Sequence, residues 1–287
     1  MDATRLADNA WSPYCVLPDW SGSAGAMALR AGCLVSEMTE PYYQEDGIEI
    51  YHGDCRDILP QLPKVDLVLT DPPYGHNNNN GDLASHREAA LGVGDYVPER
   101  DNRPIANDGA EANELVRWFF GEAGRVLKPG CCCCCCCGGG GGPDPQFARW
   151  SLWLDEAIPF KMCVVWDKGP LGMGWHYRRD WECILVAQKP GAACTWNGGN
   201  ETSNVIRDIP RIIPQRHDHP TPKPVKLMAR FIHWHSNVGG VVLDPFMGSG
   251  TTLVAAKQLG RRAIGIEIEQ KYCDIAIERL RQGVLKL

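Results

Sequence analysis

Outside one unbroken run, the 14 cysteines among the 287 residues include no C-x-x-C pair. Zinc sites built from paired thiolates use that spacing, so a metal site is not expected. Seven of the cysteines form one run, Cys131–Cys137, and adjacent residues cannot bridge one another without severe strain. A disulfide framework is therefore not expected either. No apolar run approaches the length of a membrane span. No basic start precedes an apolar core, and Arg30 interrupts the mildest candidate for a leader. These absences imply a cytoplasmic chain with reduced thiols and no membrane partner. No internal repeat is evident.

What is present is ordinary in bulk and uneven in detail. Hydrophobic residues make up 44% and charged residues 22%, as in a soluble globular protein with a full core. A net charge of -6 argues mildly against a nucleic-acid partner. Between Lys161 and Arg230, however, eleven lysines and arginines face six acidic residues. A local basic face is enough to meet phosphates, although a solvated mixed surface has the same composition.

Residues 1–40 mix Gly, Ser, Ala and Pro without a period and read as a loosely ordered extension, leaving 41–287 as one catalytic domain. "GIEIYHGD" (47–54) predicts a strand, "CRDILPQL" a short helix, and "VDLVLT" (65–70) a strand covered on both faces. A polar insertion follows at 75–109, beginning "GHNNNNGD". Residues 109–127 have apolar side chains at helical spacing, stopped by "KPG". The cysteine run falls where a buried strand is needed, and free cysteine behaves as a small hydrophobe. A strand sends alternate side chains to opposite faces, which argues against a metal cluster there. Further elements are a helix at 144–157, strands at "KMCVVWD" and "WECILVAQK", a helix in "TPKPVKLMARFIHWH", a strand "VVLDPF", a helix opened by "GSGTT", a strand "RAIGIEI" and a closing helix. Strands alternating with helices imply an α/β fold with a doubly wound, mostly parallel sheet.

Two segments carry chemistry. In "DPFMGSGTT", Asp244, Phe246, Gly248 and Gly250 sit at a strand-to-helix turn, where glycine permits a close backbone approach to a ligand. Glu267 ends the following strand, where an acid can accept both hydroxyls of a ribose. The turn lacks the lysine of an ATP-binding P-loop. An adenosine-containing cofactor is expected. In "TDPPYG", Asp71 lies just past a strand end. Pro72 and Pro73 fix the backbone and remove two N–H donors. A carboxylate plus a rigid carbonyl can accept both protons of one amino group, and Tyr74 offers a flat face for a base.

"TDPPYG", "HPTPKPVKLM" and "LDPFMGSGTT" resemble motifs IV, X and I of the amino-group DNA methyltransferases. Their order resembles the circularly permuted β class, over residues 47–284. The resemblance implies a seven-stranded, Rossmann-like, permuted sheet and S-adenosyl-L-methionine as cofactor. It implies that Asp71, Pro72, Pro73 and Tyr74 hold a flipped base. It places Phe246, Gly248, Gly250 and Thr251, beside Asp244, at the cofactor, Glu267 on its ribose, Asp54 near its adenine, and Thr221 and Lys223 at its methionine end. Pro222 departs from the usual Gln or Glu. Sequence reading falls to residues 190–218 with help from the 75–109 insertion. Arg178, Arg179, Arg207, Arg211 and Arg216 are the candidate DNA contacts, with an ordinary charged turn as the plainer reading of Arg178 and Arg179. The expected reaction is methylation of adenine N6 in double-stranded DNA, with cytosine N4 as the alternative. Methylation of RNA or of a protein glutamine, and a silent DNA-binding regulator, fit less well. The resemblance admits a cognate restriction endonuclease as partner, and a monomer or homodimer.

Overall fold

The structure is a computed structural model that describes residues 39–75, 106–109, 111–138, 146–169, 180–211 and 223–282. Residues 1–38 of the expected extension, most of the 75–109 insertion, the "WHYRRD" arginines Arg178 and Arg179, and Arg216 and Thr221 lie outside them.

Among the described residues, nine strands form one mixed sheet. In chain order they are β1 (Tyr43–Glu45), β2 (Ile48–His52), β3 (Val65–Thr70), β4 (Leu127–Gly138), β5 (Phe160–Asp167), β6 (Trp181–Gln188), β7 (Val205–Ile206), β8 (Val241–Asp244) and β9 (Arg262–Glu267). Their order across the sheet is β1-β2-β9-β8-β3-β4-β6-β5-β7. The seven inner strands are those the sequence predicts. Two short edge strands, β1 and β7, make the difference between seven and nine. β1 pairs antiparallel with β2 through a turn in which Asp46 and Gly47 both have positive φ, 51° and 77°. That is the Asp-Gly signature of a tight hairpin, present in "YQEDGIEIY" and overlooked at the sequence level.

The helices are α1 (Cys55–Ile58), α2 (Ala112–Val126), α3 (Gln146–Ala157), α4 (Val225–His235), α5 (Thr251–Gln258) and α6 (Gln270–Arg281). One face of the sheet packs on residues of α1, α2 and α3, the other on α4, α5 and α6. The cysteine run shows the two-sided burial directly. Cys132, Cys134 and Cys136 join the core cluster on one face, and Cys133, Cys135 and Cys137 join the other. Burial pushes the Cys133 thiol up to about 12 and those of Cys134, Cys135 and Cys136 well above their ordinary value. They stay neutral and act as apolar filling.

"KPG" does not stop the preceding helix from outside the sheet; it lies within β4. α2 ends at Val126 and the strand begins at the next residue. Gly130, at φ +83°, lets the strand bend: its register against β3 jumps from Val65↔Leu127 to Leu67↔Cys132.

β3 lies between β8 and β4, both parallel to it, so its carboxyl end opens beside theirs. Leu67 on this strand is fully buried. Leu67→Ala is expected to cost about 3 kcal/mol, the usual loss for a buried leucine. A lowered urea midpoint at unchanged m-value would register it.

Candidate active site

The site lies along the carboxyl ends of β3, β4, β8, β9 and β6's opposing start. Thr70, the last residue of β3, donates from Oγ1 to Asp244 Oδ1 of β8 at 2.6 Å. The same Asp244 oxygen accepts the Phe246 N–H at 3.2 Å. One buried carboxylate thus joins the strand before "DPPY" to the turn of "DPFMGSG". Burial raises its pKa to about 6, against hydrogen bonds from Thr252 and Thr70 that work to lower it.

The glycine turn behind Asp244 is tightly fixed. Gly250 caps α5 in the left-handed region at φ +78°, and a Cβ there would come 2.7 Å from the Ala276 side chain. Gly248 has φ +50° and its N–H donates to Glu267 Oε2 at 3.0 Å. Glu269 N–H donates to Glu267 Oε1 at 2.8 Å. Each Glu267 oxygen keeps a further acceptor position. Burial raises this carboxyl to about 7, although the two backbone donors lower it. Arg279 of α6 donates to the Ser249 carbonyl at 2.6 Å, to Ser249 Oγ at 2.9 Å and to Thr251 Oγ1 at 3.2 Å. Nothing in the sequence marked Arg279, because its partners lie thirty residues back on a turn. Phe246 packs edge-on against Phe119, with ring centroids 5.3 Å apart.

Asp54 ends at the same edge. β2 pairs with β9 so that His52 faces Glu267, and Gly53 N–H donates to the Glu267 carbonyl at 2.9 Å. Asp54 itself caps α1, accepting Arg56 N–H at 2.8 Å, and pairs with the Arg56 guanidinium at 2.5 Å.

On the other side of Asp244, Tyr74 donates its hydroxyl to Asp71 Oδ1 at 2.6 Å. Its ring meets Trp150 edge-on at 5.9 Å, and Gln146 donates to its carbonyl. Pro72 is buried between them in sequence. Asp108 accepts the Gly75 N–H at 2.8 Å and so holds the loop's exit. Lys223 is brought here too. Its Nζ lies 2.5 Å from Asp71 Oδ2, 3.3 Å from Tyr74 Oη and 3.4 Å from Glu182 Oε2. The sequence reading did not foresee the pairing of Lys223 with Asp71, nor Glu182, an acid near the start of "WECILVAQ". Arg207 and Arg211 are exposed; Arg207 directly follows the last residue of β7, and Arg211 lies four residues further on.

Comparisons with known proteins identify the family. The DNA methylase family model matches residues 65–278. The chain belongs to the DNA methylase family. Among its relatives, the Type II methyltransferase M.ScaI of Streptomyces caespitosus is 27% identical, with 92% of this chain and 91% of that one covered. The DNA adenine methyltransferase YhdJ of Escherichia coli K12 is 27% identical, with 88% and 87% covered. The solved M1.HpyAVI–SAM complex is 28% identical and superposes with a TM-score of 0.58, covering 81% of this chain and 98% of that one. Membership makes this chain a DNA methyltransferase with an α/β methyltransferase fold. Among the described residues, no helix is long and apolar enough to cross a membrane.

Glu267 supplies a pH test of the site. Its pKa is raised from an ordinary 4.5 to about 7, so the folded protein binds a proton that the unfolded chain releases. Stability is then greatest at low pH in this window and falls as pH rises from 4.5 through 7. Glu267→Gln is expected to flatten that part of the profile in denaturant titrations, leaving the smaller slope due to Asp244.

Proposed function

We propose that the chain transfers the methyl group of S-adenosyl-L-methionine to N6 of adenine in double-stranded DNA. The carrying observation is the Asp71 carboxylate, tethered by Tyr74 and standing at the same sheet edge as the glycine turn and Glu267. The name of the relative YhdJ, a DNA adenine methyltransferase, supports adenine over cytosine. The D-P-P-Y tetrapeptide leans the same way.

The cofactor fits the residues present. Glu267 has an open acceptor position on each oxygen for the two ribose hydroxyls. Phe246, Gly248, Gly250 and Thr251 line the turn, Asp244 shapes it, and Asp54 stands by the adenine end. Lys223 and Thr221 serve the methionine end. When bound, the cofactor supplies an electrophilic methyl group on a sulfonium.

The chain's own part is orientation. Asp71 and the Pro72 carbonyl accept the two amino hydrogens of the flipped base, which draws the nitrogen lone pair out of the ring system. Pro73 keeps the carbonyl from shifting. The face of Tyr74 stacks on the base. Asp71 is the acceptor for the proton that the nitrogen loses after transfer. Arg207 and Arg211, both exposed, meet DNA phosphates, with Arg178, Arg179 and Arg216 alongside in the basic stretch. The motif order is that of a circular permutation. The enzyme works in the cytoplasm as a monomer or homodimer, paired with a cognate restriction endonuclease as the Type II names of its relatives suggest.

Asp71→Ala is expected to abolish methyl transfer while leaving cofactor affinity intact. Normal methylation by this variant, measured with labelled cofactor, would remove Asp71 from the amino-group site. Gly248→Val should do the reverse and block cofactor binding by intruding on the turn; unchanged affinity by calorimetry would sink that assignment. Modification-sensitive sequencing of DNA from cells expressing the chain should show N6-methyladenine at one recognition sequence, and N4-methylcytosine there would overturn the adenine reading.

A further inference from the structure

Nothing in the two sequence motifs accounts for Glu182. It sits near the start of β6, paired in register with Gly138 at the carboxyl end of β4. That register carries an acidic side chain to the edge where Asp71 lies. Its Oε1 takes a 2.9 Å ion pair from Lys168. Its Oε2 is shielded from solvent and accepts no hydrogen bond among the described residues, although the Lys223 ammonium is 3.4 Å away.

Lys223 therefore stands between two carboxylates. It is bonded to Asp71 at 2.5 Å and lies just beyond hydrogen-bond length from Glu182. Burial favours the neutral amine, but Asp71 and Glu182 together outweigh it and hold Nζ cationic. Burial also works against a charged Glu182, and Lys223 and Lys168 hold its carboxyl below the ordinary range. Lys223 and Glu182 thus face each other as opposite charges.

This matters because Asp71 is already engaged on both oxygens, by Tyr74 on Oδ1 and Lys223 on Oδ2. An amino group arriving at Asp71 competes with a bonded cation. Displacing that cation with nowhere to go would leave a buried charge unpaired, which is strongly unfavourable. A shift of about 0.5 Å toward Oε2 gives Lys223 a full hydrogen bond instead. No charge leaves the crevice in the exchange.

We propose that Glu182 is a positioning residue for methyl transfer, receiving the Lys223 ammonium as the target amino group takes its place on Asp71. The proposal rests on the reading of Asp71 as the amino-group acceptor. Glu182 touches neither substrate nor cofactor in this scheme. It acts through Lys223, and it supplies the second seat of a two-position lysine.

The test is single-turnover methylation at saturating cofactor, with cofactor affinity measured separately. Glu182→Gln keeps shape and removes the charge. It should slow methyl transfer by about tenfold or more, the scale of a misplaced reacting group, at unchanged cofactor affinity. Glu182→Asp, with its carboxylate drawn back, should fall between the two, and it carries the comparison if the glutamine variant does not fold. Lys168→Gln removes the other partner of Glu182 but leaves its charge beside Lys223, so the rate should hold. A wild-type rate in Glu182→Gln, or in Glu182→Asp where that variant stands alone, would overturn the proposal. So would an equal loss in Lys168→Gln, which would make the Lys168 bridge structural and the effect indirect. The two readings fail differently. An active Asp71→Ala defeats the amino-group assignment, whereas an inactive Asp71→Ala beside a fully active Glu182→Gln defeats only the role of Glu182.

Discussion

The hydrogen bond from Thr70 to Asp244 is the joint on which the site depends. It links residues 174 apart in the chain, at the ends of two adjacent parallel strands. Without that register, "DPPY" and "DPFMGSG" would be two unrelated turns. With it, Asp71 on one side and the Phe246–Gly250 turn on the other open into the same crevice. A parallel pair can be joined only through a long crossover, and here the chain between the two strands carries β4 to β7 and α2 to α4. The distance in sequence is the ordinary outcome of that topology.

The site is also a concentration of buried charge. Asp244 and Glu267 lie above their ordinary pKa values because burial disfavours the anion. Lys223 is kept cationic only by its two carboxylate neighbours. Such groups are poor sources of stability. Their retention fits a site that must present acceptors of hydrogen bonds to ligands, and the stability comes from elsewhere, from the two apolar faces of the sheet.

Much of this was legible in the chain. The inner strands and all the longer helices follow from apolar runs and periodicity, and the two motifs name their own strand ends. The edge strand β1 was missed although Asp46-Gly47 announces it, because the preceding "PYYQE" is too polar to stand out as a strand. β7 is two residues long and leaves no periodic trace. Lys223 was assigned by resemblance to the cofactor, and its contact with Asp71 emerged only in three dimensions. Glu182 and Arg279 were invisible for one shared reason. Each works by meeting a segment far away in sequence, and a lone charge on a strand or a terminal helix looks like a solvated one.

The all-cysteine strand β4 has a consequence outside catalysis. Held between β3 and β6, the thiols of Cys132–Cys137 are sealed and protonated, which makes them poor nucleophiles. In the unfolded chain these six thiols would be adjacent, solvated and able to exchange with any disulfide they met. Folding and protection from oxidation are therefore a single event in this protein. A newly made chain must complete the centre of its sheet before its own chemistry closes the route.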